Sequence, residues 1–144
     1  MRDYIIMTDS CCDLSQQEVE ELELTVLPLS FTIEGKTLLN TPDHADMSPE
    51  EFFAKIAAGA DCTTAAVNVG QFTDAMEKVL QEGKDILCVC FSSALSTTYQ
   101  SACIAAEDLR EKYPEAKILV IDSLSASRGQ GMLCLLYTSP SPRD

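Results

Sequence analysis

Hydroxyl-bearing side chains gather in this sequence where apolar runs stop. Thr8-Asp9-Ser10 follows Tyr4 to Met7, Ser92-Ser93-Ala94-Leu95-Ser96 follows Ile86 to Phe91, and Asp122-Ser123-Leu124-Ser125 follows Ile118 to Ile121. Short apolar runs bounded by polar turns suit buried strands. In a parallel sheet such strand ends share one edge, where helix N-termini direct unpaired backbone N–H groups outward and ligands of open α/β sheets bind. Hydroxyls and amides with no Lys or Arg among them suit a modest anion or polar head, such as a carboxylate, better than a triphosphate. Neither a Walker sequence nor GxGxxG is present.

Each of these groups also has an ordinary structural role open to it. Thr8-Asp9-Ser10 suits the cap of a first helix, and Ser96 the N-cap of its own helix; capping and ligand contact can coexist. Thr63-Thr64 reads, on residue type alone, as a plain connector. The single histidine, His44, sits in the acidic run Asp43-His44-Ala45-Asp46 and reads as a solvated side chain. No Ser-His-Asp or Cys-His arrangement can be assembled around it. The seven cysteines, Cys11, Cys12, Cys62, Cys88, Cys90, Cys103 and Cys134, have no spacing that makes a four-ligand zinc set with one His. They read as reduced, buried small hydrophobes.

The elements that must position the turns are legible in the periodicity. Ser15-Gln16-Gln17-Glu18 is a capping box, and Leu14 and Val19 stand where a hydrophobic staple needs them, so a helix starts there. From Leu24 the chain returns as strand, and after Pro28 apolar Leu29, Phe31 and Ile33 alternate with polar neighbours, predicting a sheet with one wet face. Glu34-Gly35-Lys36 reads as a turn and Lys36 to Met47 as loop. Ser48-Pro49-Glu50-Glu51 restarts a helix, with Phe52, Phe53 and Ile56 as its buried stripe. Thr63 to Gly70 is an extended connector to a helix whose core face is Phe72, Ala75, Met76, Val79 and Leu80, stopped at Gly83. Tyr99, Ala102, Cys103, Ala106, Leu109 and Tyr113 mark a long amphipathic helix beginning near Ser96, and Pro114 ends it. A final helix starts near Gly129. Tyr137 to Asp144 carries two prolines in its last five residues and reads as an irregular tail of non-native character, leaving residues 1–136 as one domain.

Strands alternating with helices predict an α/β fold, a mostly parallel sheet flanked by helices with right-handed crossovers. At 144 residues and 46% hydrophobic the chain can bury one real core, which excludes a disordered tail or a collagen. Ten basic residues against 23 acidic ones leave a net charge of −13, which repels phosphate backbones, so nucleic acid is not an expected partner. The N-terminal apolar stretch is too short for a signal peptide and no segment approaches a membrane span, so the expected location is cytoplasmic with no transmembrane segment.

Taken in order, the motifs resemble one family. Thr8-Asp9-Ser10, Leu27-Pro28-Leu29-Ser30 with Glu34-Gly35-Lys36, Ser48 to Phe52, Thr64 ahead of Asn68 to Phe72, Ser92 to Ala102, and Val120 to Ser123 are similar to the DegV family of bacterial fatty-acid-binding proteins. The likeness runs from residue 4 to about 136, and implies the family's Rossmann-like N-terminal domain. It further implies a carrier, not an enzyme: a protein with no catalytic residue, metal or cofactor that buries a long-chain fatty acid and presents its carboxylate to a separate fatty acid kinase for phospholipid synthesis. Carried over by position, Thr64 and Ser96 are the hydroxyls on the carboxylate, with Thr8, Asp9, Ser10, Ser92, Ser93 and Asp122 supporting them. Ala94 and Thr97 stand where the family usually has Gly, and Ala65-Ala66-Val67 replaces a commoner Ser-Gln-Pro. The family's second domain has no counterpart in the sequence, so the chain is expected to be an incomplete family protein. Two alternatives come from the residues: a small phosphotransfer or hydrolytic domain using Asp9 and Ser10, and a fragment without independent activity. The shortage of basic and metal-binding partners counts against the first.

Overall fold

In a computed structural model that describes residues 2–138, seven strands and five α-helices build two sheets. The larger contains β1 (Tyr4–Asp9), β2 (Thr25–Leu27), β6 (Asp85–Cys90) and β7 (Ile118–Asp122), all parallel, in the order β2-β1-β6-β7. The smaller is antiparallel, with β3 (Leu29–Ile33) between β4 (Lys36–Asn40) and β5 (Cys62–Ala65). The helices are α1 (Gln16–Glu21), α2 (Pro49–Ala57), α3 (Val69–Gln81), α4 (Thr98–Lys112) and α5 (Arg128–Thr138). The expected mostly parallel sheet flanked by helices is therefore present, with a second sheet beside it.

Alternation along the central strands divides the core in two, because successive side chains leave a strand on opposite faces. Met7, Cys88 and Cys90 pack with Phe72 and Met76 of α3 and Ala102, Ala106 and Leu109 of α4. Ile6 and Val89 pack on the other face with Leu14, Val19 and, from α5, Cys134. The helix starts are set as their residue types require. Ser15 and Glu18 form the reciprocal capping box of α1, and Ser48 accepts from the Glu51 N–H ahead of Pro49 in α2. The cysteines of the described residues are all free thiols, and Cys12, Cys88, Cys90 and Cys134 are buried.

The structure corrects several expectations between residues 24 and 66. The single strand expected from Leu24 is two strands in two sheets, since Pro28, which has no N–H to give a ladder, separates β2 from β3. Lys36 to Asn40 is strand β4 instead of loop: Glu34 and Gly35 both take left-handed backbone angles, φ 49° and 75°, and fold it back onto β3 in a tight hairpin. The connector around Thr64 is strand β5, paired to the other edge of β3, with Phe31 opposite Thr64. The stripe expected to bury α2 is not buried: Phe53 is 66% exposed, and no residue of α2 is fully enclosed. Helix α4 begins at Thr98, two residues after Ser96. Helix α5 continues through Tyr137 to Thr138, and the rest of the expected tail, residues 139–144, lies outside the described residues.

Helix α5 crosses the 3-10 turn Ser10–Cys12 at very short range. A Cβ on Gly131 would stand 2.8 Å from the Cys12 carbonyl oxygen and 3.0 Å from Leu14 Cδ2. Gly to Ala inside a helix normally gains about 1 kcal/mol. Here the added carbon meets backbone, so Gly131→Ala is expected to lose about 1–3 kcal/mol of stability, as overpacking does. Urea unfolding of the two chains measures the sign directly.

Candidate functional site

The site begins with what the sheet leaves unpaired. Strands β1 and β6 end side by side, and the chain beyond them leaves the partly buried N–H groups of Cys11 and Phe91 to find partners outside the ladder. Asp9, fully buried, satisfies both: Cys11 N–H donates to Oδ1 at 3.0 Å and Phe91 N–H to Oδ2 at 2.7 Å. Thr8 donates its hydroxyl to the Val89 carbonyl at 2.8 Å and receives the Gln130 amide of α5 at 2.9 Å. Ser10 Oγ accepts from the Leu29 N–H at 3.0 Å, which fixes the start of β3 to the end of β1.

A second set of bonds closes the outer part of the edge. Asp122 Oδ1 accepts from the N–H groups of Ser93 and Leu124, at 3.1 and 3.0 Å. The Ser93 side chain adds to this and holds the Asp122 carboxyl below its ordinary range. Ser92 donates its N–H to the Ser125 carbonyl at 3.0 Å, and its hydroxyl oxygen accepts from Ala94 N–H at 3.3 Å. Ser96 lies at the entry to α4, where its oxygen accepts from Thr98 N–H at 3.2 Å and shares a 2.8 Å bond with the Thr98 hydroxyl. Thr8, Asp9, Ser10, Ser92, Ser93, Ser96 and Asp122 thus lie at or just beyond the C-terminal ends of β1, β6 and β7, and all seven use their side chains to join or turn the chain.

Between this edge and the smaller sheet lies a cavity of about 550 Å³. Its apolar walls include Leu29 and Phe31 of β3, Leu39 of β4, Phe52 and Phe53 of α2, and Phe91 beyond β6. Phe31, Phe52 and Phe53 meet edge to face, with centroids 5.5 and 5.4 Å apart. This explains the exposure of α2: its phenylalanines line a hollow instead of filling a core. Thr64 lines the same cavity, with Asp13, Ser30, Asn40 and His44. Ser96 is not among its lining residues.

The aromatic wall and His44 were not expected as site residues. His44, read as solvated, is exposed yet faces the cavity from a loop in which it adopts φ 53°. One signal for the wall was present in Phe52-Phe53. Neighbouring helix residues point about 100° apart, so two adjacent phenylalanines rarely fill one narrow stripe.

Residues 4–138 match the family model described as an uncharacterised protein of the DegV family. A DegV domain-containing protein of Clostridium perfringens is 37% identical over the full chain, which covers 49% of that relative. The chain spans about half the length of the curated relatives it matches. Among solved structures, a stearic-acid-binding protein of Eubacterium ventriosum superposes with a TM-score of 0.84 at 28% identity, covering 94% of this chain and 46% of that one. A DegV family protein of Thermus thermophilus, described by its fatty acid binding, superposes with a TM-score of 0.82 at 30% identity, covering 99% and 50%.

Burial raises Asp9 above its ordinary value of 3.8, outweighing the N–H groups that favour its charge. An acid raised in this way holds its proton longer in the folded chain than in the unfolded one. Its ionisation therefore costs stability as pH climbs from that ordinary value through the raised one. In Asp9→Asn this part of the pH dependence is expected to vanish, so the stability difference between wild type and variant should shrink with rising pH there. At neutral pH the variant should still be about 1–3 kcal/mol less stable, because Asn offers one acceptor to two buried donors. Urea unfolding across a pH series checks both, and a difference independent of pH would refute the account of Asp9.

Proposed function

The chain belongs to the DegV family, and from that premise we propose that it holds a long-chain fatty acid in the cavity against the sheet edge and offers the carboxylate to a separate fatty acid kinase. The observation that carries the reading is the cavity itself. About 550 Å³ is within the roughly 300–1,000 Å³ of small-molecule sites, and its aromatic and aliphatic walls suit an acyl chain, with neutral donors confined to particular places. Thr64 is the donor we assign to the carboxylate from within the cavity.

Ser96 is assigned as the second hydroxyl, by position in the family's motif. Its chemistry permits this. Ser96 Oγ accepts from Thr98 N–H, and when the Thr98 hydroxyl is also the donor in their shared bond the Ser96 proton is free for a carboxylate oxygen. Two neutral donors orient a carboxylate without cancelling its charge as a bidentate Arg would, which leaves the oxygen nucleophilic toward a phosphoryl donor. The protein's part in that reaction is to bind and orient the acid. Phosphorylation of the carboxylate would feed phospholipid synthesis.

The competing hydrolytic or phosphotransfer reading needs Asp9 and Ser10 to reach a substrate. Asp9 is fully buried and Ser10 6% exposed, and both carry structural hydrogen bonds. Among the described residues, no helix is long and apolar enough to cross a membrane.

Native mass spectrometry of the full chain expressed in bacteria is expected to show copurified fatty acid; an empty monomer that also fails to take up oleate would overturn the reading. Hydrogen bonds to a charged group contribute about 1.5–3 kcal/mol each. Thr64→Val combined with Ser96→Ala is therefore expected to weaken oleate binding at least about a hundredfold, while the lost bond from Thr98 N–H lowers stability by about 0.5–2 kcal/mol without unfolding the chain. Undiminished affinity in that double variant would remove both residues from the site.

A further inference from the structure

A serine hydroxyl has one proton to give and two lone pairs to fill, so the partners of Ser96 decide what it can still do for a ligand. Among the described residues both bonds to its oxygen come from Thr98, the first residue of α4. The Thr98 N–H donates to Ser96 Oγ at 3.2 Å, and the two hydroxyls share a bond of 2.8 Å in which either oxygen can be the donor. Distance does not set the direction of that bond, but burial does.

Thr98 is fully buried, and among the described residues Ser96 Oγ is the only partner of its hydroxyl. If Thr98 accepted from Ser96, its own proton would lie in the interior with no acceptor, which destabilises the fold as any unmade buried hydrogen bond does. Ser96 is only half-buried. With Thr98 donating, the proton left over is that of Ser96, where water or a ligand can take it. The arrangement that strands no buried proton therefore fills both lone pairs of Ser96 and leaves its O–H free to donate. Hydrogen bonds in series also polarise one another, which makes that O–H a stronger donor.

We propose that Thr98 is a positioning residue that fixes Ser96 as a pure donor, so that the site selects an acceptor head group, a carboxylate, and offers a protonated amine no acceptor there. The inference rests on the assignment of Ser96 to the carboxylate of a bound fatty acid.

Titration of the full chain with oleate and oleylamine tests this, in wild type, Ser96→Ala, Thr98→Val, Thr98→Ser and the double variant Ser96→Ala with Thr98→Val. Thr98→Val keeps the shape and the backbone N–H of the residue and removes its hydroxyl. It is expected to weaken oleate binding about fivefold, the worth of one hydrogen bond of ordinary strength, and Thr98→Ser to restore the affinity. Oleylamine should bind Thr98→Val as well as wild type or tighter, because one lone pair of Ser96 is released to accept from it. In the Ser96→Ala background Thr98→Val should have no further effect on oleate, as expected when one residue acts through the other. Where Ser96→Ala does weaken oleate binding, unchanged or tighter binding in Thr98→Val would overturn the positioning role alone. Equal losses for oleate and oleylamine in Thr98→Val, or additive losses in the double variant, would overturn it too. If Ser96→Ala binds oleate as wild type does, or wild type binds none, the reading of the site fails and the role of Thr98 with it.

Discussion

The structure turns on two backbone N–H groups that the parallel sheet cannot satisfy, those of Cys11 and Phe91, and on the one carboxylate that accepts both. A buried N–H without an acceptor costs as much as a lost hydrogen bond. Asp9 removes that cost at two places at once and in doing so joins the chain after β1 to the chain after β6. Ser10 extends the junction to β3 and Asp122 extends it to the loop after β7. The rim of the cavity is therefore as firmly held as the sheet beneath it, although it consists of turns. Burial works against this arrangement by disfavouring the charged form of Asp9. The carboxylate offers two acceptors to these donors where an amide would offer one.

The rigid rim faces a wall of a different kind. β3, β4, β5 and α2 place aromatic side chains around a hollow and leave much of their apolar surface uncovered, with Phe53 the most open of the phenylalanines there. A core of this size would ordinarily close on itself, since burying a phenylalanine contributes about 1.5–3 kcal/mol. Here the smaller sheet is tied to the end of β1 by the Ser10–Leu29 bond and continues from β2 through Pro28. The gap between them is mostly apolar and bordered by isolated polar groups. Such a gap suits a molecule with a long apolar body and a small polar end.

Charge sets a constraint on how the proposed acid would be held there. The chain carries a net charge of −13, so an anion approaches against its overall field. That field is screened beyond about 8 Å at physiological ionic strength. Affinity then depends on the local donors and on the apolar area removed from water, not on long-range attraction. The proposed acid would gain most of its hold from its acyl chain, with the hydroxyls serving orientation.

The hydroxyl-rich turns, the helix caps at Ser15 and Ser48 and the central strands were legible in the sequence, because each depends on neighbours within a few residues or on a strict period. The order of motifs was equally legible, and with it the family. The division of the Leu24–Ile33 segment between two sheets was not, nor the strand around Thr64, because short strands acquire their state from partners elsewhere in the chain. Phe52 and Phe53 show the same limit from the side of the site. Their apolar character and helical placement follow from the sequence, but a phenylalanine in a core and one beside a cavity look alike until the opposing surface is known. Local residue types thus determined which groups can bind and which elements carry them. The tertiary structure alone decided which hydroxyls became structural, that Thr64 and Ser30 line the cavity, and that a cavity exists, because long-range pairing brings the two sheets together.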